Sequence, residues 1–207
     1  MMNIPSIPPP IDIVPSEELP YNERMFRASC NVNPLHYTRV VEPVPEWTAL
    51  LSKVAELLAR PSAIVVATGP RGTGKTQAAA EIMRAYHRAN RFPLYRTAKE
   101  FFGLLRASFS SSETSEHTII AQHIAPQLLV LDEIQVRGDT TYELDTLTHL
   151  IDARYAAMKR TLLISNLPKR STANGGPCIE DSLGASIISR IQETGAVVVF
   201  DCKSFRG

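Results

Sequence analysis

The chain has 207 residues, 44% hydrophobic and 21% charged, the balance of an ordinary globular protein, which excludes wholesale disorder. Lys and Arg number 22 against 21 for Asp and Glu, a formal net charge of +1. Coating duplex DNA by charge alone is therefore excluded, and any nucleic-acid contact must be local.

No run of about 18 apolar residues occurs, so no membrane span and no membrane partner are expected. The first 20 residues are proline-rich and carry acids, unlike a signal peptide, and the expected location is cytoplasmic. Cys30, Cys178 and Cys202 are widely spaced and odd in number, which suits reduced thiols rather than a disulfide framework. His36, His87, His117, His123 and His149 show no metal-ligand spacing.

Prolines at 5, 8, 9, 10, 15, 20, 34, 43 and 45 make regular structure sparse in the first segment. Residues 1–45 are expected to be a proline-rich arm or linker, with 21–26 as a candidate docking peptide, and 46–207 a single domain. From Trp47 onward, Leu50, Leu51, Val54, Leu57 and Leu58 fall on one helical face, and Pro61 ends that helix. AIVVAT at 63–68 reads as a strand covered on both faces. A helix over 76–90, a strand over 94–97 and a helix over 98–107 follow, and then a polar loop over 108–115. QLLVL at 127–131 is a further buried strand. A helix over 141–159, a strand over 161–165, a helix over 183–192 and a strand over 196–200 complete the chain. This alternation predicts an α/β fold: a three-layer αβα P-loop arrangement around a five-stranded parallel sheet, with no separate helical lid.

Residues 69–76 read GPRGTGKT and fit GxxxxGK[ST]. Glycine permits the tight turns that aim backbone N–H groups at phosphate oxygens, and the helix behind adds its positive end. The expected ATP-binding segment is Gly69, Pro70, Arg71, Gly72, Thr73, Gly74, Lys75, Thr76 and Gln77. Lys75 suits the terminal phosphates and the Thr76 hydroxyl suits Mg²⁺. The strand ending at 131 delivers Asp132 and Glu133 to the same sheet edge. Asp132 is expected on the metal side, and Glu133 is suited to polarising the attacking water. Asn166, just past TLLIS, is placed to orient that water. Arg190 is a candidate arginine finger acting on a neighbouring subunit.

In this order GPRGTGKT at 69–76, ETSE at 113–116, LLVLDEI at 128–134, LLISNLP at 162–168, ISRI at 188–191 and CKSFRG at 202–207 resemble the AAA+ ATPases of the DnaC/IstB type. These are bacterial helicase loaders and transposon ATP-binding proteins. The resemblance implies Walker A roles for Lys75 and Thr76, Walker B roles for Asp132 and Glu133, and sensor 1 for Asn166. It also implies that Arg190 reaches a neighbour's nucleotide. By the same resemblance, the helical insertion at about 98–125 meets single-stranded DNA, with Phe109, Thr141 and Tyr142 facing the pore. A replicative DNA helicase and self-association through ATP interfaces follow from it as expected partners. Against the resemblance, only a proline-rich arm is expected before the domain, and the insertion at 169–181 has no assigned role.

The expected activity is therefore Mg²⁺-dependent ATP hydrolysis in a loader that assembles on single-stranded DNA. Two alternatives stand beside it. One is an IstB-type DNA-binding regulator of transposition, and the other is a P-loop nucleotide kinase, against which Glu133, Asn166 and Arg190 argue. An adaptor that binds ATP without hydrolysing it is a further reading.

Overall fold

The structure, a computed structural model, describes residues 26, 30–33, 36, 44–110, 114–136, 140–171 and 175–205. Most of the expected arm at 1–45, including 21–25 of the docking peptide, lies outside the described residues.

Helix α1 (Pro45–Leu58) begins with proline at a first-turn position, where its missing N–H costs nothing. Strand β1 (Ile64–Thr68) leads into α2 (Lys75–Arg88), then β2 (Pro93–Thr97) and α3 (Ala98–Ser108). Thr97 starts α3 with a reciprocal capping box: its hydroxyl accepts from the Glu100 N–H at 3.1 Å, and the Glu100 carboxylate accepts from the Thr97 N–H at 2.8 Å. The expected loop at 108–115 is shorter than its polarity suggested. α3 includes Ser108, and Ser115 caps a further helix, α4 (Glu116–Ile124). After β3 (Leu128–Asp132) comes a single 3₁₀ turn (Ile134–Val136), then α5 (Thr141–Ala156) and β4 (Arg160–Ile164). Met158 takes a left-handed φ of 54°, so α5 stops before the expected 159.

Helix α6 (Ile179–Thr194) starts earlier than the expected 183, because Gly184 links two helical stretches at φ 73°, a conformation glycine adopts without strain. Strand β5 (Ala196–Val199) closes the sheet. The five strands lie in the order β2-β3-β4-β1-β5, and every pairing is parallel.

Alternation along the strands divides the core. Val65, Ala67, Val130, Leu162 and Ile164 face α1 and α2, while Ile64, Val66, Leu129, Leu131 and Leu163 face α3 to α6. β1 and β3 are buried throughout, as strands covered on both faces require. Phe26, Cys30 and Val32 also sit in the α1–α2 core, so these residues of the expected arm are packed on the domain.

Among the described residues, one charged side chain lies wholly inside. Arg154 of α5 is 0% exposed. Its Nε donates to Thr161 Oγ1 at 2.9 Å, and its Nη1 donates to the carbonyls of His123, Ile124 and Pro126 at 2.7, 3.1 and 3.2 Å. Its Nη2 donates to the Arg160 carbonyl. A cation thus receives the end of α4 and joins it to the starts of β3 and β4. Burial pulls its pKa down to about 9, which leaves it charged at neutral pH.

Candidate functional site

Because all strands run parallel, the turns after β1, β3 and β4 emerge at one edge of the sheet, the usual place for a ligand in this architecture. The turn after β1 is the glycine-rich loop, and α2 opens immediately behind it at Lys75. The carbonyls of this loop need donors, and several come from outside it. The Gly74 carbonyl accepts from the Trp47 indole at 3.2 Å, the Gly72 carbonyl from the Phe205 N–H at 2.9 Å, and the Thr73 carbonyl from the Cys202 thiol at 3.3 Å. Gly74 stands at φ 82°, and a Cβ there would lie 2.5 Å from the Trp47 indole nitrogen. A Cβ on Gly69 would lie 2.2 Å from the Phe200 carbonyl oxygen. Both glycines are thus required by close packing as well as by conformation.

Inside the loop, Lys75 is 6% exposed and its ammonium donates to the carbonyls of Gly69 and Pro70, both at 2.7 Å. The Thr73 hydroxyl also donates to the Pro70 carbonyl, at 2.9 Å. Gln77, in the first turn of α2, points away from the loop: its amide donates to the His36 carbonyl at 3.0 Å and to Glu81 at 3.1 Å. Its packing therefore ties the arm to α2.

The decisive link crosses from α2 to β3. Thr76 Oγ1 donates to Asp132 Oδ2 at 2.8 Å. Tyr95 of β2 donates to the same oxygen at 2.8 Å, and the Glu133 N–H donates to Asp132 Oδ1 at 2.6 Å. Burial, and after it the Asp132 charge, pushes the Tyr95 phenol far above its ordinary range, so it stays a donor. The hydroxyl and the carboxylate are hard oxygen donors of the kind Mg²⁺ takes alongside phosphate oxygens. Among the described residues, no group of three or more His, Cys, Asp or Glu is placed to hold a metal without such help. The chemistry of this donor pair fits a nucleotide-bound cation.

The family model for the IstB-like ATP binding protein matches residues 48–207. The chain belongs to that family. The replicative helicase loader DnaC of Escherichia coli (strain K12) is 25% identical over 140 residues, covering 67% of this chain and 54% of that protein. The chain thus spans about half the length of the curated relatives it matches. A crystal structure of the DnaC helicase loader superposes with a TM-score of 0.61 at 18% identity, covering 85% of this chain and 98% of that one. AMPPCP-bound DnaA from Aquifex aeolicus gives a TM-score of 0.61 at 19% identity over 84% of this chain and 52% of that one. These likenesses establish the AAA+ α/β fold.

In this IstB-like chain Glu133 follows Asp132 at φ 55° and is exposed, so its carboxylate leaves the sheet edge toward solvent. Asn166 stands just past β4, its backbone N–H donating to Gln135 Oε1 at 3.3 Å. Thr68 at the end of β1 donates its hydroxyl to the Leu167 carbonyl, which ties the loop after β4 to the root of the phosphate loop. Lys75, Thr76, Asp132, Glu133 and Asn166 are therefore brought to one edge.

Arg190 is not part of that cluster. It pairs with Asp152 of α5 at 2.5 Å and lies over the Tyr155 ring at 5.1 Å. This pair holds the Asp152 carboxyl below its usual range. Of the three residues expected to contact DNA, two pack together. Phe109 and Tyr142 are 62% and 39% exposed with ring centroids 5.8 Å apart, beside exposed Thr141 at the start of α5. Carboxylates flank them: the Tyr142 hydroxyl donates to Glu116 at 3.0 Å, and Arg106 is paired with Glu143 at 2.8 Å.

No pattern along the chain marks Trp47, Tyr95, Gln135, Cys202 or Phe205 for a role at this site. Only the ending CKSFRG carried any signal, as a piece of the family resemblance.

Proposed function

We propose that this protein is a Mg²⁺-dependent ATPase that assembles through ATP-bearing interfaces on single-stranded DNA and loads a replicative helicase, working in the cytoplasm. The observation that carries this reading is the Thr76–Asp132 hydrogen bond, which joins the phosphate loop to the acidic tip of β3.

In this reading the segment from Gly69 to Thr76 holds the nucleotide, and the Gln77 side chain, turned toward His36 and Glu81, takes no part. Lys75 exchanges its two loop carbonyls for terminal phosphate oxygens. Thr76 and Asp132 hold the metal ion, which neutralises phosphate charge when bound. Glu133, facing solvent, takes a proton from the attacking water, and Asn166 orients that water. Arg190 acts in trans: its seat on the α5–α6 face leaves it to serve a neighbour's phosphate rather than its own. Phe109, Tyr142 and Thr141 meet single-stranded DNA, with the two rings stacking on bases. Residues 1–45 form an arm anchored on the domain through Phe26, Cys30 and Val32, and 46–207 form the ATPase domain.

The name of the relative DnaC, a replicative helicase loader, supports the helicase partner. The family match to an IstB-like ATP binding protein favours a second reading, a DNA-binding regulator that directs a transposase.

The test is ATP turnover of the full chain in Mg²⁺, with and without single-stranded DNA, followed by co-elution with the helicase and with a transposase from the same genome. DNA-responsive turnover and a helicase complex are expected. A transposase complex without helicase binding selects the second reading. Absence of nucleotide uptake, unchanged by Lys75→Ala, overturns both.

A further inference from the structure

Gln135 lies one residue beyond the LLVLDEI run, in the single turn Ile134–Val136 that follows Asp132 and Glu133. Its Oε1 accepts from Ser165 Oγ at 3.1 Å and from the Asn166 backbone N–H at 3.3 Å. A backbone N–H can only donate, so the amide orientation is settled: the oxygen faces the end of β4 and the nitrogen faces away. Ser165 Oγ in turn accepts from the Leu167 N–H at 3.1 Å. One side chain thus reaches from the turn after β3 to the turn after β4, and it sets where the Asn166 backbone stands relative to Asp132 and Glu133.

The other end of the amide is unused. Gln135 Nε2 is buried and has no hydrogen-bond partner among the described residues. Buried donors are normally paired, and an unpaired one next to a functional edge calls for an acceptor. Gln135 follows Asp132 by three residues and Glu133 by two, and its bonds to Ser165 and Asn166 hold it at the edge where the phosphate loop, β3 and β4 converge. A terminal phosphate oxygen is the acceptor whose chemistry suits that place, because hydrogen bonds to charged acceptors are the stronger kind.

We propose that Gln135 is a positioning residue that locks Asn166 to the Asp132–Glu133 turn and offers its free amide N–H to the γ-phosphate of bound ATP, so that the site distinguishes triphosphate from diphosphate. This rests on reading the site as an ATPase. It adds a residue that the phosphate loop and the acidic pair do not include.

Three full-length variants test it. Gln135→Met keeps the bulk and removes both polar ends. Gln135→Glu keeps an acceptor for Ser165 and Asn166 but replaces the donor with a carboxylate. Gln135→Ala reports simple loss of packing. The readouts are affinities for a non-hydrolysable ATP analogue and for ADP, each with Mg²⁺, together with turnover and Tm. Met is expected to weaken the ATP analogue about tenfold while moving ADP less than about twofold, with turnover lower by at least about tenfold. Glu is expected to weaken the analogue at least as much while leaving hydrogen exchange at 165–167 as in the wild type.

The proposal is overturned if the Met or Glu variant keeps the wild-type ratio of ATP to ADP affinity. It is equally overturned if ATP and ADP affinity fall together with Tm, the pattern of a space-filling residue. Failure of the wild type to bind either nucleotide would instead sink the ATPase reading, and this inference with it.

Discussion

At the carboxyl edge of the sheet, Asp132 collects donors from Thr76, Tyr95 and the Glu133 N–H; at the amino edge, Arg154 sends its donors to Thr161 and to four carbonyls. Both are buried charges satisfied by hydrogen bonds rather than by an opposite ion at contact distance. They differ in what surrounds them. All three guanidinium nitrogens are engaged by backbone and one threonine, which closes the cluster. Around Asp132 the neighbours are exposed Glu133, the partly exposed turn at Asn166, and Thr76 at the start of a helix, which leaves the cluster open on the side of the phosphate loop. A closed polar cluster fixes a fold, whereas an open one can take a ligand.

Substitutions at the two edges should therefore separate activity from stability. Glu133→Gln carries the largest expected effect: turnover falls about 10³-fold, near 4 kcal/mol on the barrier, while Mg-ATP affinity stays within about twofold. Steady-state kinetics beside a binding titration would show it, and unchanged turnover would remove Glu133 from the chemistry. Arg154→Met should cost about 3 kcal/mol of stability by leaving buried carbonyls without donors, a fall of roughly 6–12 °C in Tm. Nucleotide affinity at a temperature where the variant is folded should not change. Were affinity to fall in step with Tm, the two edges would not be independent.

His123, packed beside Arg154, gives the closed edge a pH signature. Burial holds its imidazole below the usual range, with the Ile119 carbonyl opposing that shift in part. Below about pH 6.5 the unfolded chain then binds more protons than the folded one, so stability falls as pH drops through that value. The slope can reach about 1.4 kcal/mol per pH unit, and urea unfolding of the wild type and His123→Phe across that range would measure it. A slope retained in the variant would assign the effect elsewhere. The smallest expected change is Tyr95→Phe. Removing one donor from Asp132 should alter by about 1 kcal/mol, roughly fivefold, how much Mg²⁺ strengthens ATP binding over binding in chelator. An unaltered Mg²⁺ contribution would make Tyr95 a packing residue.

The strands were legible because β1 and β3 are continuous apolar runs, and the phosphate loop was legible because few residue orders other than GPRGTGKT supply those turns, a lysine and a hydroxyl in so short a span. Glu116–Ile124 was harder. Its serine-rich approach reads as a loop, and only Ile119, Ile120 and His123 of that helix are buried, too short an apolar stripe to announce a helix. The early start of α6 was hidden by Gly184, which breaks the helical run that the sequence pattern follows.

Residue order along single segments determined the αβα fold class, the phosphate loop and the acids of β3, since those depend on periodicity and on chemistry within a few neighbours. Tertiary structure alone decided that Trp47 and Phe205, 158 positions apart, receive carbonyls of the loop, that Tyr95 joins Thr76 on Asp132, and that Gln135 spans two strand ends. Those contacts arise only when a parallel sheet brings distant turns to one edge, and no local pattern in the chain encodes that meeting.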